Sequence, residues 1–122
     1  MLLMLFQKIY HTESKDSAKS MESGELEVLA TPALVAFMEN TAFTHLQPQL
    51  KENETSVGSA ISIEHLAASP IGTDIRIIIR QMTRKGRQYH FSIAAYEGEE
   101  LIGKAEHTRV AVDQDRFIAK FY

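Results

Sequence analysis

One apolar segment with proline near each end, followed by four alternating segments, narrows the folds open to this chain. Thr31-Pro32 opens the segment and Pro48 closes it. Thr31 is a good N-cap, and Pro32 at the first helical position loses nothing by lacking an N–H. Ala33-Leu34-Val35-Ala36-Phe37-Met38 continues the run to about Leu46, so the pattern predicts a helix of about four turns. Before it, residues 2–10 read as a strand, and His11 to Gly24 as a polar loop with room for a short helical turn. After it, residues 55–66 put Val57, Ser59, Ile61, Ile63 and His65 on one face. Residues 73–83 put Ile75, Ile77 and Ile79 inward, although Ile78 breaks the alternation, and residues 87–96 align Tyr89, Phe91, Ile93 and Ala95. Residues 100–112 alternate less cleanly. A period of two marks half-buried antiparallel strands. The links Ser69-Pro70-Ile71-Gly72, Arg84-Lys85-Gly86-Arg87 and Glu97-Gly98-Glu99 carry turn chemistry. One strand, one helix and a four-stranded meander predict a single α+β domain over residues 1–122, with one sheet face packed on the helix.

Composition removes whole classes of function. With 122 residues the core is real but small, so an oligomer interface would help it. There is no cysteine, which excludes a thiol nucleophile, a redox pair, a disulfide framework and Cys-ligated zinc. A net charge of −3 leaves no electrostatic footprint for nucleic acid, so no nucleic-acid partner is expected. The apolar opening Met1 to Phe6 is too short for a membrane span and has no basic flank, so a cytoplasmic protein without a membrane partner is expected. Nucleophile-elbow, phosphate-loop, dinucleotide and zincin motifs are absent. The five histidines (11, 45, 65, 90 and 107) lack the i,i+2 and i,i+4 spacings of ligand sets, so no metal site is expected.

Three residues could carry chemistry. On a helix, Glu39 has Val35, Ala36, Ala42 and Phe43 as its same-face neighbours, all apolar. A carboxylate so placed is partly desolvated, which suits acid–base work; the plainer reading is that it reaches solvent or pairs with a basic residue of the sheet. His65 is in phase with Ile61 and Ile63, on the face that covers the helix, where a histidine is either a satisfied core residue or a catalyst. Thr31 is explained by capping, or its hydroxyl and the first-turn N–H groups face a developing oxyanion. The basic side chains Arg84, Lys85, Arg87 and Lys104 are either contacts for phosphate or a solvated hairpin.

Taken together, Ala30-Thr31-Pro32, Met38-Glu39 and His65-Leu66-Ala67-Ala68-Ser69-Pro70-Ile71-Gly72 resemble the hotdog-fold acyl-CoA thioesterases of the fluoroacetyl-CoA thioesterase type. Gly58 and His107-Thr108-Arg109 extend the likeness, which covers about residues 25–117. The resemblance implies a hotdog fold, a long central helix wrapped by a five-stranded antiparallel sheet. It also implies a homodimer, or a tetramer, with active sites at the subunit interface. By resemblance Thr31, Glu39 and His65 are the catalytic set, Gly58 and Arg109 bind substrate, and no cofactor is needed beyond the coenzyme A of the acyl-CoA substrate. The sequence departs from the fluoroacetyl specialist in one place: Ser23-Gly24-Glu25-Leu26-Glu27 stands where that enzyme has a phenylalanine lid.

Helix geometry adds a constraint. Eight residues advance about 12 Å and turn about 80°, so Thr31 and Glu39 of one chain cannot share a direct hydrogen bond. If all three residues act together, a ligand bridges them or a second subunit completes the set. The expected reaction is thioester hydrolysis, with Glu39 as nucleophile or general base, His65 managing the proton, and Thr31 orienting the attack. A non-catalytic acyl-CoA-binding hotdog protein is the alternative. Hydratase chemistry ranks last, because Thr31-Pro32 stands where those proteins carry histidine.

Overall fold

The computed structural model describes residues 4–122. Strand β1 (Phe6–His11) leads through a 3-10 turn at Ser14–Asp16 to helix α1 (Thr31–Leu46), which runs directly into a second 3-10 turn, Gln47–Gln49. Strands β2 (Glu54–His65), β3 (Asp74–Lys85), β4 (Gln88–Glu97) and β5 (Glu100–Asp113) follow, and a one-turn helix α2 (Gln114–Ile118) closes the chain. Residues 2 and 3 of the expected first strand lie outside the described residues. Among the described residues, no helix is long and apolar enough to cross a membrane.

All five strands form one antiparallel sheet in the order β1-β3-β4-β5-β2. The expected four-stranded meander is therefore corrected: β3, β4 and β5 form a meander, while β2 crosses to the far edge and pairs with β5. Local patterning reports which segments are strands but not which distant strand each one joins. Helix α1 presents Leu34, Met38, Ala42 and Leu46, each one turn after the last, to the concave face. They pack against Ile75, Ile77 and Ile79 of β3, Phe91, Ile93 and Ala95 of β4, and Ala105 of β5. The alternation expected in β3 and β4 is thus the core face.

Two local expectations are revised. The N-cap of α1 is Ala30, without a side-chain capping bond; Thr31 and Pro32 are its first two residues. In β2 a bulge between Gly58 and Ala60 shifts the phase of the strand. Val57 consequently turns to the convex face beside Val110 and Phe117, and Ser59 is exposed. Ser56 and Gly58 instead join Ile61, Ile63 and His65 on the helix-facing side. The C-terminal helix has no counterpart in the expected elements. It is one turn long, and Asp113 caps it by accepting from the Arg116 N–H.

At Gly103 of β5 helix and sheet approach closely: a Cβ there would lie 3.0 Å from Leu34 Cδ2 of the helix and 3.3 Å from the Glu64 carbonyl of β2. Leu34 is fully buried on top of it. Leu34→Ala should cost about 2–5 kcal/mol, because a cavity opens where helix and sheet are tightly seated. Denaturant unfolding would read this as a lower midpoint at unchanged slope.

Candidate active site

Thr31 and His65 come together. The Thr31 hydroxyl lies 2.8 Å from His65 Nδ1. Backbone clips set this pairing. Before α1, the Leu29 N–H donates to the Ser69 carbonyl at 2.9 Å and Val28 bridges Pro70. After β2, the Leu66 N–H donates to the Ile102 carbonyl at 2.7 Å, fixing the strand end that carries His65. The turn between them closes at Gly72, whose positive φ of 96° suits glycine, and its N–H donates to the Thr12 hydroxyl. The segment His65–Gly72 thus holds the histidine and also docks the chain that enters the helix at Thr31.

The pair lines a cavity of about 390 Å³, walled by Val28, Leu29, Pro32, Leu66 and Ala67. His65 is half-buried, and among the described residues its Nε2 is buried without a hydrogen-bond partner. Burial pushes the His65 pKa down, with the Ala67 backbone partly opposing, which favours a neutral ring. A neutral imidazole bonded to a hydroxyl through one nitrogen, with the other unengaged, can move protons in either direction.

Glu39 is elsewhere. It lines a separate cavity of about 240 Å³ with Asn40, Phe43, Gly58 and Arg109, none of which borders the Thr31–His65 cavity. Glu39 and His65 of one chain therefore border different cavities. The carboxylate is half-buried and lies over the bulged part of β2, where a Cβ on Gly58 would meet Glu39 Oε2 at 2.9 Å. Its surroundings differ from those expected. Ala42 is buried, but Ala36 and Phe43 are exposed and form an apolar rim beside the acid. Arg109 is 7 % exposed and anchored by Ser56, donating through Nε to its hydroxyl at 2.8 Å and through Nη2 to its carbonyl at 3.1 Å. The Phe43 ring covers the guanidinium at 5.7 Å. Burial lowers the Arg109 pKa and the Glu39 charge raises it.

Ser56, Asn40 and Phe43 were not anticipated as lining or anchoring residues. The signal available for Ser56 was an arginine on a strand that must be buried, since a buried guanidinium needs acceptors. Asn40 is held by β1: Lys8 Nζ and the Tyr10 hydroxyl both donate to its Oδ1, at 2.6 and 2.7 Å. The basic candidates scatter. Arg84 lies over Tyr89, Lys104 faces Glu64 at 3.8 Å, and Arg87 joins Arg116 and Lys120 around a groove on the convex face.

Comparison with known proteins gives the family and the fold. The family model described as fluoroacetyl-CoA-specific thioesterase matches residues 12–115. The chain belongs to that family. A fluoroacetyl-CoA thioesterase from Streptantibioticus cattleyicolor is 32% identical over 94 residues, 77% of this chain and 68% of that protein. The crystal structure of a phenylalanine-to-alanine mutant of the fluoroacetyl-CoA-specific thioesterase, in complex with fluoroacetate and CoA, superposes with a TM-score of 0.87 at 28% identity, covering 94% of each chain. A Thermus thermophilus protein described as a thioesterase superfamily member matches with a TM-score of 0.87 at 25% identity, over 95% of this chain and 86% of that one. The fold is the hotdog fold of the family.

Burial also fixes how stability responds to acid. His45, His65 and His107 all have folded pKa values below the ordinary 6.5, each chiefly through burial. The unfolded chain therefore takes up these protons first. Stability from these residues is whole above about pH 6.5 and drains as pH falls below it toward the folded values. Denaturant midpoints measured from about pH 8 down to about pH 5 should fall below that point, and His65→Gln should flatten the decline.

Proposed function

We propose that this protein is an acyl-CoA thioesterase, releasing free acid and coenzyme A, and that it works as a homodimer. In each site Thr31 and His65 of one subunit face Glu39 of the partner subunit, with Gly58 and Arg109 beside that carboxylate. The observation that carries this reading is the hydrogen bond of Thr31 to His65 at the wall of one cavity, with Glu39 in another. One chain supplies both halves but cannot join them, because α1 holds Thr31 and Glu39 about 12 Å apart along its axis. Strand β2 carries Gly58 near its middle and His65 at its end, and it is the sheet edge beside β5. A twelve-residue edge strand is a template for pairing. Antiparallel pairing of β2 with a second copy runs the Gly58 of each subunit toward the other's His65.

Hydrolysis then follows one of two balanced routes. As general base, Glu39 takes a proton from water, the hydroxyl adds to the thioester carbon, the C–S bond breaks, and the proton taken up by Glu39 passes through His65 to the departing thiolate. As nucleophile, the Glu39 carboxylate displaces the thiolate to form an anhydride, which water then cleaves. Thr31 orients the acyl group in both. The fluoroacetyl group is not taken as the preferred substrate, because Ser23-Gly24-Glu25-Leu26-Glu27 replaces the phenylalanine lid. The 2.8 Å contact favours a second reading as well: His65 can take the hydroxyl proton, making Thr31 the acyl acceptor.

A thioester panel read by free-thiol release tests the activity; saturable binding without release would make the protein a binder. Glu39→Gln and His65→Ala should each cost about 10²–10⁴-fold in kcat. Mixing these two inactive variants should restore about one quarter of wild-type activity, since half the dimers are mixed and each holds one intact site. No recovery on mixing would mean that a single chain assembles the site. Single turnover in oxygen-18 water should label the Glu39 carboxylate only if it is the nucleophile, and a hydroxylamine-sensitive ester on Thr31 would mark the second reading. Gly58→Ala should leave the melting temperature close to wild type, because only the flexible end of Glu39 is displaced, yet lower kcat by about 10-fold or more.

A further inference from the structure

Behind Arg109 lies a histidine that the proposed reaction does not use. His107 is 1% exposed and sits two residues before Arg109 on β5, so both side chains emerge on the helix-facing side. Its Nδ1 lies 2.8 Å from the Ala60 carbonyl, and its Nε2 lies 3.2 Å from Arg109 Nη1. These two contacts define the ring. A carbonyl only accepts, so Nδ1 carries the proton; a guanidinium only donates, so Nε2 must be bare. The Ala60 carbonyl reaches His107 at the end of the β2 bulge that also presents Gly58 to Glu39.

The consequence falls on Arg109. Of its five N–H donors, Ser56 engages one on Nε and one on Nη2, and His107 engages one on Nη1. Among the described residues, one N–H remains without a partner on each terminal nitrogen. The guanidinium is held on three sides, covered by Phe43, and borders the cavity that Glu39 lines. We infer that His107 is a positioning residue: its bare Nε2 fixes the rotation of the Arg109 guanidinium and so aims the two uncommitted N–H groups at the acyl group beside Glu39. This assignment rests on the reading of Arg109 as a substrate-binding residue.

Two variants separate the contacts of the ring. In His107→Gln the amide end lies where Nε2 was, so an oxygen can accept from Arg109 while the bond to Ala60 is lost. In His107→Asn the amide lies where Nδ1 was, so the bond to Ala60 persists and Arg109 loses its acceptor. Each variant removes one buried hydrogen bond, and the melting temperatures should fall together. kcat/KM should separate: His107→Asn loses about 10–100-fold, mainly through KM, and His107→Gln retains most of the wild-type value. Equal kcat/KM for the two variants would overturn the positioning role. Imidazole nitrogen-15 spectra of the wild-type protein at neutral pH give a readout independent of turnover. Nδ1 protonated with Nε2 bare is expected, and an imidazolium or the opposite tautomer would overturn the inference. If the wild-type protein releases no thiol, the thioesterase reading fails, while these spectra still decide the His107–Arg109 contact.

Discussion

The close seating of one helix on two strands underlies both the fold and the site. Helix α1 approaches β5 at Gly103, where Leu34 fills the space a side chain would need, and it approaches β2 at Gly58, where the Glu39 carboxylate does the same. The first contact is apolar and anchors the core. The second sets a charged group on the sheet, half shielded from water, with buried Arg109 and His107 behind it. A carboxylate can remain there because the strand beneath it has no side chain and the strand beside it supplies a cation held by Ser56. The bulge at Gly58–Ala60 makes this possible, turning Ser56 and Gly58 inward while leaving Ile61, Ile63 and His65 inward as well.

A regular helix also imposes a separation. Thr31 is at its first residue and Glu39 is two turns further along, and no rotamer closes that distance. The chain compensates at the near end only. The strap at Val28–Ala30 is clipped to Ser69 and Pro70, so Thr31 meets His65 without help from Glu39. What results is two separate clusters, one with a hydroxyl and an imidazole, the other with a carboxylate and a guanidinium. Their chemistries are complementary in the sense that acyl transfer requires: the first can move protons and orient, the second can attack or activate water and hold charge.

The parts of this that were legible in the sequence are those decided within a few residues. Pro32 and Pro48 bracket the helix, and Ile75, Ile77, Ile79, Phe91, Ile93 and Ala95 alternate onto the core as their spacing implies. Thr31, Glu39 and His65 could be placed on their elements for the same reason. Choices made at long range were not legible. Val57, Ser59 and Ile61 continue an alternation straight through the bulge, so nothing local betrays the change of phase. The Thr31 hydroxyl had a local partner in the helix N–H groups, but a histidine 34 residues away took it. Strand order has the same character, since β2 joins β5 across the 34 residues between them, which only the assembled sheet reveals.

The exposed rim around Glu39 bears on why the proposed site would need two copies of the chain. Phe43 is 36% exposed and Ala36 is exposed, next to a carboxylate and at the sheet edge formed by β2. In a lone subunit this is an unfavourable surface, because apolar side chains face water and one side of a long strand has unpaired backbone groups. Covering it with a second β2 and α1 would remove both costs and would also withdraw Glu39 further from water. The same contact that stabilises the assembly would then complete the catalytic set, so that attacking group and proton shuttle meet only in the dimer. On that reading an isolated chain would have little hydrolytic power, because its carboxylate and its imidazole stay too far apart to act on one acyl group.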